Sequence, residues 1–130
     1  MNIIASVSPS ALLLEDEFII AADIEDCLRV VGFDVSSFAS CRAAHDWLIT
    51  RRPEVSILDL DPPDGLCAGV AISLVEKSVP FLVHSDVLRD AGSYDQIFDQ
   101  WLWVSKPCLS SDLARAAMDT VQKAATSKSG

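Results

Sequence analysis

Short apolar runs recur along the chain at a nearly fixed interval: Ala11–Leu14, Val35–Phe38, Val55–Leu58, Phe81–Val83 and Leu102–Val104. Each is too short for a helix, and most are rich in Val, Ile, Leu or Phe, as strands buried on both faces are. Between them apolar residues fall at helical spacing. In the first such segment Ile20, Ile24, Cys27, Leu28 and Val31 share one face. Asp23, Glu25, Asp26 and Arg29 lie largely on the other, and Gly32 stands where a C-terminal cap belongs. A second helix is predicted over 41–52, with Ala44, Trp47 and Leu48 inward and Pro53 as its stop. A third is predicted over about 67–77, before Pro80 opens the next strand. The last begins after Ser110 and Ser111, good N-capping residues, and carries Leu113, Ala117 and Val121 inward. Residues 87–100 carry the weakest helical pattern: they are polar, contain Gly92, and offer only Ile97 and Phe98 as anchors.

Five strands alternating with helices imply a parallel sheet covered on both faces. Right-handed crossovers, and a length of 130 residues, favour a doubly wound α/β domain over an eight-unit barrel. The expected organisation is one domain over 11–124, an N-terminal extension over 1–10 and a flexible tail over 125–130.

Composition supports a packed domain, since half the residues are hydrophobic and only 22% are charged. Nineteen acidic against ten basic residues give a formal charge of −9, which would repel a polyanion over most of the surface and excludes non-specific nucleic-acid binding. No apolar run approaches the roughly 18 residues of a membrane span, and the first ten residues lack the basic and apolar regions of a signal peptide. The expectation is a cytoplasmic protein without membrane contact. Cys27, Cys41, Cys67 and Cys108 are scattered, with no CxxC, and read as reduced thiols.

In a doubly wound sheet, chemistry gathers at the carboxyl ends of the strands. The first strand runs into Glu15 and Asp16, the third into Asp59, the fourth into His84 and Ser85, and the fifth into Ser105 and Lys106. Carboxylates about 5 Å apart repel by roughly 3 kcal/mol per pair at an effective dielectric near 20, so they stay ionised together only around a cation. Hard oxygen donors with open water positions suit magnesium. A divalent ion, an ammonium and a hydroxyl converging on one carboxylate describe a pocket for a phosphoryl group. An aspartate there can carry that group as an acyl phosphate.

At this point the chain resembles the receiver domain of the two-component response-regulator family, over about 11–124. Four pieces carry the likeness: LLLEDE (12–17), ILDLDPPDG (57–65), VHS (83–85) and SKP (105–107), in the right order at the ends of strands one, three, four and five. The resemblance implies a flavodoxin-like sheet of order 2-1-3-4-5 and a stand-alone receiver with no output domain. It implies that Asp59 is phosphorylated by a histidine kinase or phosphotransfer protein. Mg2+ would be held by the Asp16 and Asp59 side chains and the Asp61 carbonyl, with Glu15 acting partly through water. Ser85 would bind a phosphoryl oxygen, Lys106 would pair with it, and Trp103 would occupy the switch position where many members carry Tyr or Phe. Such a module is no enzyme beyond slow loss of its own phosphoryl group. It would signal through a protein partner or self-association on the face of the fourth helix, fifth strand and fifth helix, near Trp101 and Trp103.

Departures from the family pattern fall around the site. Asp86 follows the hydroxyl where a small residue is usual, Asp61 adds an acid two residues past Asp59, Pro62 and Pro63 stiffen the next loop, and Cys108 replaces a frequent aromatic. None removes a core group; together they predict altered phosphorylation kinetics. His84 reads as structural or partly exposed, and Asp86, Asp90, Asp95 and Asp99 as a solvated face. Two other functions stay open: a phosphate-independent docking module, and a phosphatase of the haloacid-dehalogenase type, suggested by Asp59-x-Asp61. Against the phosphatase, that motif normally follows the first strand, and its acidic pair follows the lysine.

Overall fold

The computed structural model describes residues 8–59, 68–85, 102–105 and 109–129, with backbone alone at Asp59, Ala68, Ser85, Leu102, Trp103, Ser105 and 126–129. Nine elements follow in order: β1 (Ser10–Leu14), α1 (Phe18–Val30), β2 (Asp34–Phe38), α2 (Cys41–Leu48), β3 (Val55–Asp59), α3 (Ala68–Glu76), β4 (Phe81–Ser85), β5 (Leu102–Ser105) and α4 (Ser110–Ser129). The five strands form one sheet in the order β2-β1-β3-β4-β5, every neighbouring pair parallel, as expected. The weakly patterned stretch 87–100 lies outside the described residues.

Side-chain alternation along the strands builds two cores, one on each face. From β1, Leu12 and Leu14 join Leu58, Phe81 and Val83 beneath α2 and α3, which contribute Ala44, Leu48, Val70, Ala71 and Leu74. Ala11 and Leu13 point the other way, joining Val55, Ile57 and Leu82 beneath α1 and α4, with Ala21, Ile24, Leu28, Leu113 and Ala117. The apolar runs of β1, β3 and β4 are thus central strands covered on both sides, while β2 and β5 form the edges.

Helix ends account for most differences from the sequence reading. Ser40 caps α2 by accepting from the Ala43 N–H at 3.2 Å, worth about 1 kcal/mol. That helix ends at Leu48, before the predicted stop at Arg52, and Arg52 instead donates to the Lys77 and Ser78 carbonyls, at 3.0 and 3.1 Å. Ser110 does not cap the last helix. It is the first helical residue, its hydroxyl bonds Asp23 on α1, and the carbonyl of Leu109 accepts the first turn's N–H groups. Ile20, expected inward, is 37% exposed, and Ala21 takes the buried position beside Ile24 and Leu28. The α4 helix continues to Ser129 through residues expected to form a tail, in keeping with its alanines and lysines.

Cys41 departs from the expectation of four reduced thiols: it is disulfide-bonded. Cys27 is a free thiol.

Candidate functional site

The topological switch lies between β1 and β3, whose chains leave in opposite directions: β1 feeds α1 on one face of the sheet, and β3 leads to α3 on the other. A crevice forms at the carboxyl ends of such strands. Leu14 is level with Leu58, and Asp59 with His84, so the next residue after β1, Glu15, comes level with Asp59. The sheet therefore brings Glu15, Asp16 and the Asp59 backbone to one edge.

Glu15 is buried, with 3% of its surface exposed. Its N–H donates to the Phe38 carbonyl at 3.0 Å, carrying the β1–β2 ladder one residue past the strand. Its Oε2 accepts from the Glu17 N–H at 3.1 Å, which folds the acidic turn back on itself. Asp16 is half-buried beside it, and Glu17 is exposed at the head of α1. A cleft lined by Glu15, Asp16, Phe18, Glu25, Ser37 and Phe38 opens on this side of the site. Its charged lining residues, Glu15, Asp16 and Glu25, are all acidic.

The hydroxyl position follows from the same register. Ser85 ends β4, one residue past His84, and pairs with Ser105 at the end of β5. His84 is buried, with 6% exposed. Trp103 lies within β5, level with Val83. Asp61, Lys106, Asp86, Trp101 and Cys108 lie outside the described residues, as do Asp90, Asp95 and Asp99. Four strand ends of the predicted constellation are thus brought to one edge of the sheet, without the lysine and the Asp61 carbonyl.

Among the described residues no group of three or more potential ligands gathers around one point. The donors that are described, two adjacent carboxylates at the end of β1, are hard oxygens of the kind magnesium takes, one of them held in a buried turn. They fit such an ion and bring neither the thiolate nor the imidazole that softer metals prefer. No helix among the described residues is long and apolar enough to cross a membrane.

One surface feature lies outside the sequence expectations. Phe18 and Ile19, in the first turn of α1, are 85% and 81% exposed. The helix starts beyond the end of β1, so its first turn has no strand beneath it; the inward face begins only at Ala21. The spacing of Ala21, Ile24 and Leu28 carried that signal.

No family model matches the chain. Over 80 residues it is 30% identical to the transcriptional regulatory protein PrrA of Mycobacterium tuberculosis, covering 60% of this chain and 34% of that protein. Over 129 residues it is 27% identical to the C4-dicarboxylate transport transcriptional regulatory protein DctD of Rhizobium meliloti, covering 91% of this chain and 26% of that protein. The chain thus spans about a third or less of the length of these relatives. Among solved structures, a receiver domain from Methanospirillum hungatei superposes with a TM-score of 0.81 at 13% identity, over 95% of this chain and all of that one. At such identity the likeness establishes the fold.

Proposed function

From a chain that has the fold of a response-regulator receiver domain and resembles such regulators in sequence, we propose a phospho-accepting receiver of a two-component phosphorelay. The observation that carries the reading is the convergence of Glu15, Asp16, Asp59 and Ser85 on one edge of the sheet, at the switch between β1 and β3.

In this reading a carboxylate oxygen of Asp59 attacks the phosphorus of a phosphohistidine on a kinase or phosphotransfer protein. The new P–O bond forms as the P–N bond breaks, and the departing imidazole takes up a proton. Asp16, Asp59 and the Asp61 carbonyl, with Glu15 behind, would hold Mg2+, which would supply positive charge to the transferring oxygens. Ser85 donates its hydroxyl to one phosphoryl oxygen, and the Lys106 ammonium pairs with another. Glu15 is suited to a supporting part, because its turn is already fixed by the Glu17 N–H. Trp103, on β5, passes the change to a protein partner on the adjoining helical face. The chain works in the cytoplasm, turns over no external substrate, and loses its own phosphoryl group slowly.

Tryptophan fluorescence tests this reading. Trp47 packs against Phe38, with ring centroids 5.7 Å apart, and lies on α2 away from β5, so it is first replaced by Phe to remove its background. Beryllofluoride with Mg2+ should then change the emission of Trp101 and Trp103, and Asp59→Asn should abolish the change. An emission unmoved by the mimic, or moved equally without Mg2+, contradicts the proposal.

A further inference from the structure

The exposed Phe18 and Ile19 do not stand alone, because Leu109, just before α4, is 69% exposed. The contact between α1 and α4 brings the three together. Ser110, the first residue of α4, bonds Asp23 on α1 through its hydroxyl. Ile19 lies one helical turn before Asp23 on the same stripe of α1. Both helices follow parallel strands, so both start at the carboxyl edge of the sheet. Ile19 and Leu109 therefore stand on the same side of the Asp23–Ser110 bond, toward that edge, with Phe18 next to Ile19. Single exposed apolar side chains are ordinary, as Val30, Ile49 and Ile72 are here; three together beside a functional edge mark an interaction surface.

The charge around this patch is of one sign. Residues 15–31 hold six acids and one base. The base, Arg29, is engaged by Glu25 at 3.2 Å and stands 3.8 Å from Asp26. Asp16 and Glu17 have no ion-pair partner among the described residues. The cleft that Phe18 and Phe38 line carries only acids as its charged groups. Whatever covers this surface must bring apolar side chains for Phe18, Ile19 and Leu109, and cations for the acids around them. A second copy of this chain would set its own six acids against these, and an anionic lipid surface would be repelled in the same way. Position selects among the remaining partners. Phe18 follows Glu15 by three residues, so its Cα lies within about 11 Å of a residue level with Asp59. A protein seated here covers the acceptor edge. That would block the site for an output partner, whereas the donor of a phosphoryl group must sit there.

We propose that Phe18, Ile19 and Leu109 form the docking surface for the phosphodonor protein, and that the donor presents an apolar patch rimmed by Lys or Arg. The inference rests on the phosphoacceptor reading and adds the donor's chemistry to it. It also separates two partners: the donor sits across the heads of α1 and α4, while the response passes through Trp103 on β5. Apolar contact holds the phosphohistidine against Asp59, and the donor's cations offset the acids that would otherwise repel its phosphoryl group. The transfer step is the one already given, with the P–N bond breaking as the P–O bond to Asp59 forms.

Two kinds of phosphodonor separate docking from chemistry on the full chain. Acetyl phosphate needs no docking surface; a panel of purified, autophosphorylated histidine kinases and phosphotransfer proteins does. The variants are Phe18→Ser/Ile19→Ser/Leu109→Ser, Glu17→Lys, and Val30→Ser, which changes an equally exposed apolar residue at the far end of α1. The wild type should accept from at least one panel member. Measured against its own rate with acetyl phosphate, the triple variant should lose at least about tenfold with that donor. Glu17→Lys should lose severalfold, and Val30→Ser should match the wild type. A triple variant that keeps the wild-type ratio, a Glu17→Lys that loses nothing, or a wild type labelled by acetyl phosphate and by no panel member overturns the docking surface. A wild type labelled by neither kind of donor faults the phosphoacceptor reading, and docking is then read by calorimetric titration with the unphosphorylated panel. Binding that is lost in the triple variant and kept in Val30→Ser leaves the surface standing; equal binding, or none, overturns it.

Discussion

Single residues show where the chain gives up stability and where it does not. Ser56 is fully buried in β3, and its hydroxyl has no hydrogen-bond partner among the described residues. Leaving a buried hydroxyl unsatisfied costs about 1–3 kcal/mol, more than the small void a methyl would leave in its place. Ser56→Ala should therefore raise the unfolding free energy by about 1 kcal/mol in urea titration, with an unchanged m-value. A loss of stability would mean that the hydroxyl is satisfied in solution. Glu15 is the opposite case: it is as buried as the core, yet its carboxylate accepts from the Glu17 N–H and sits at the strand end where charge is useful. The sequence marked Glu15 as a candidate because an acid followed an apolar strand. That it would be more buried than Asp16 depended on the β1–β2 ladder running one residue further, which no local pattern encodes.

At the level of elements, two helices end by the same device with different residues. In α1 the Phe33 N–H reaches the Leu28 carbonyl and the Gly32 N–H reaches Arg29, with Gly32 at φ +114°. In α3 the Val79 N–H reaches Leu74 and the Ser78 N–H reaches Val75, with Ser78 at φ +59°. Both are Schellman-type ends, and only the first uses the residue suited to it. A left-handed conformation costs an L-residue about 1–2 kcal/mol, part of which glycine returns through its freer unfolded chain. Ser78→Gly should thus stabilise by up to about 1 kcal/mol and Gly32→Ala destabilise by about 1 kcal/mol, read as opposite shifts in thermal midpoint. The Gly32 effect should be backbone strain alone, because an added methyl meets only Met118 Cε at 3.8 Å. Two shifts of the same sign would contradict the capping account. Gly32 was legible as a cap because a glycine directly after a helical apolar pattern is itself the signal; the Ser78 end was not, because serine carries no signal for positive φ. The early end of α2 was hidden for a related reason: Arg51 and Arg52 fit a helix, but Arg52 serves the end of α3, a partner distant in sequence.

The whole molecule was the most legible scale. Apolar runs at regular intervals, with those of β1, β3 and β4 buried on both faces, left few arrangements other than a doubly wound sheet, and the observed order β2-β1-β3-β4-β5 places the acidic strand ends together. The disulfide at Cys41 was not legible, since four scattered cysteines with no CxxC carry no pairing signal. The acidity of the chain likewise acquires a location: part of its −9 charge is concentrated where Glu15 and Asp16 meet the end of β3. That concentration has a purpose only if Asp59 receives a phosphoryl group, and the direct check is the intact mass of the protein after incubation with acetyl phosphate and Mg2+. The account predicts a single added phosphoryl group, dependent on Mg2+, removed by hydroxylamine as an acyl phosphate would be, and absent from Asp59→Asn. An unmodified wild type, or a phosphoryl group retained in Asp59→Asn, would contradict it.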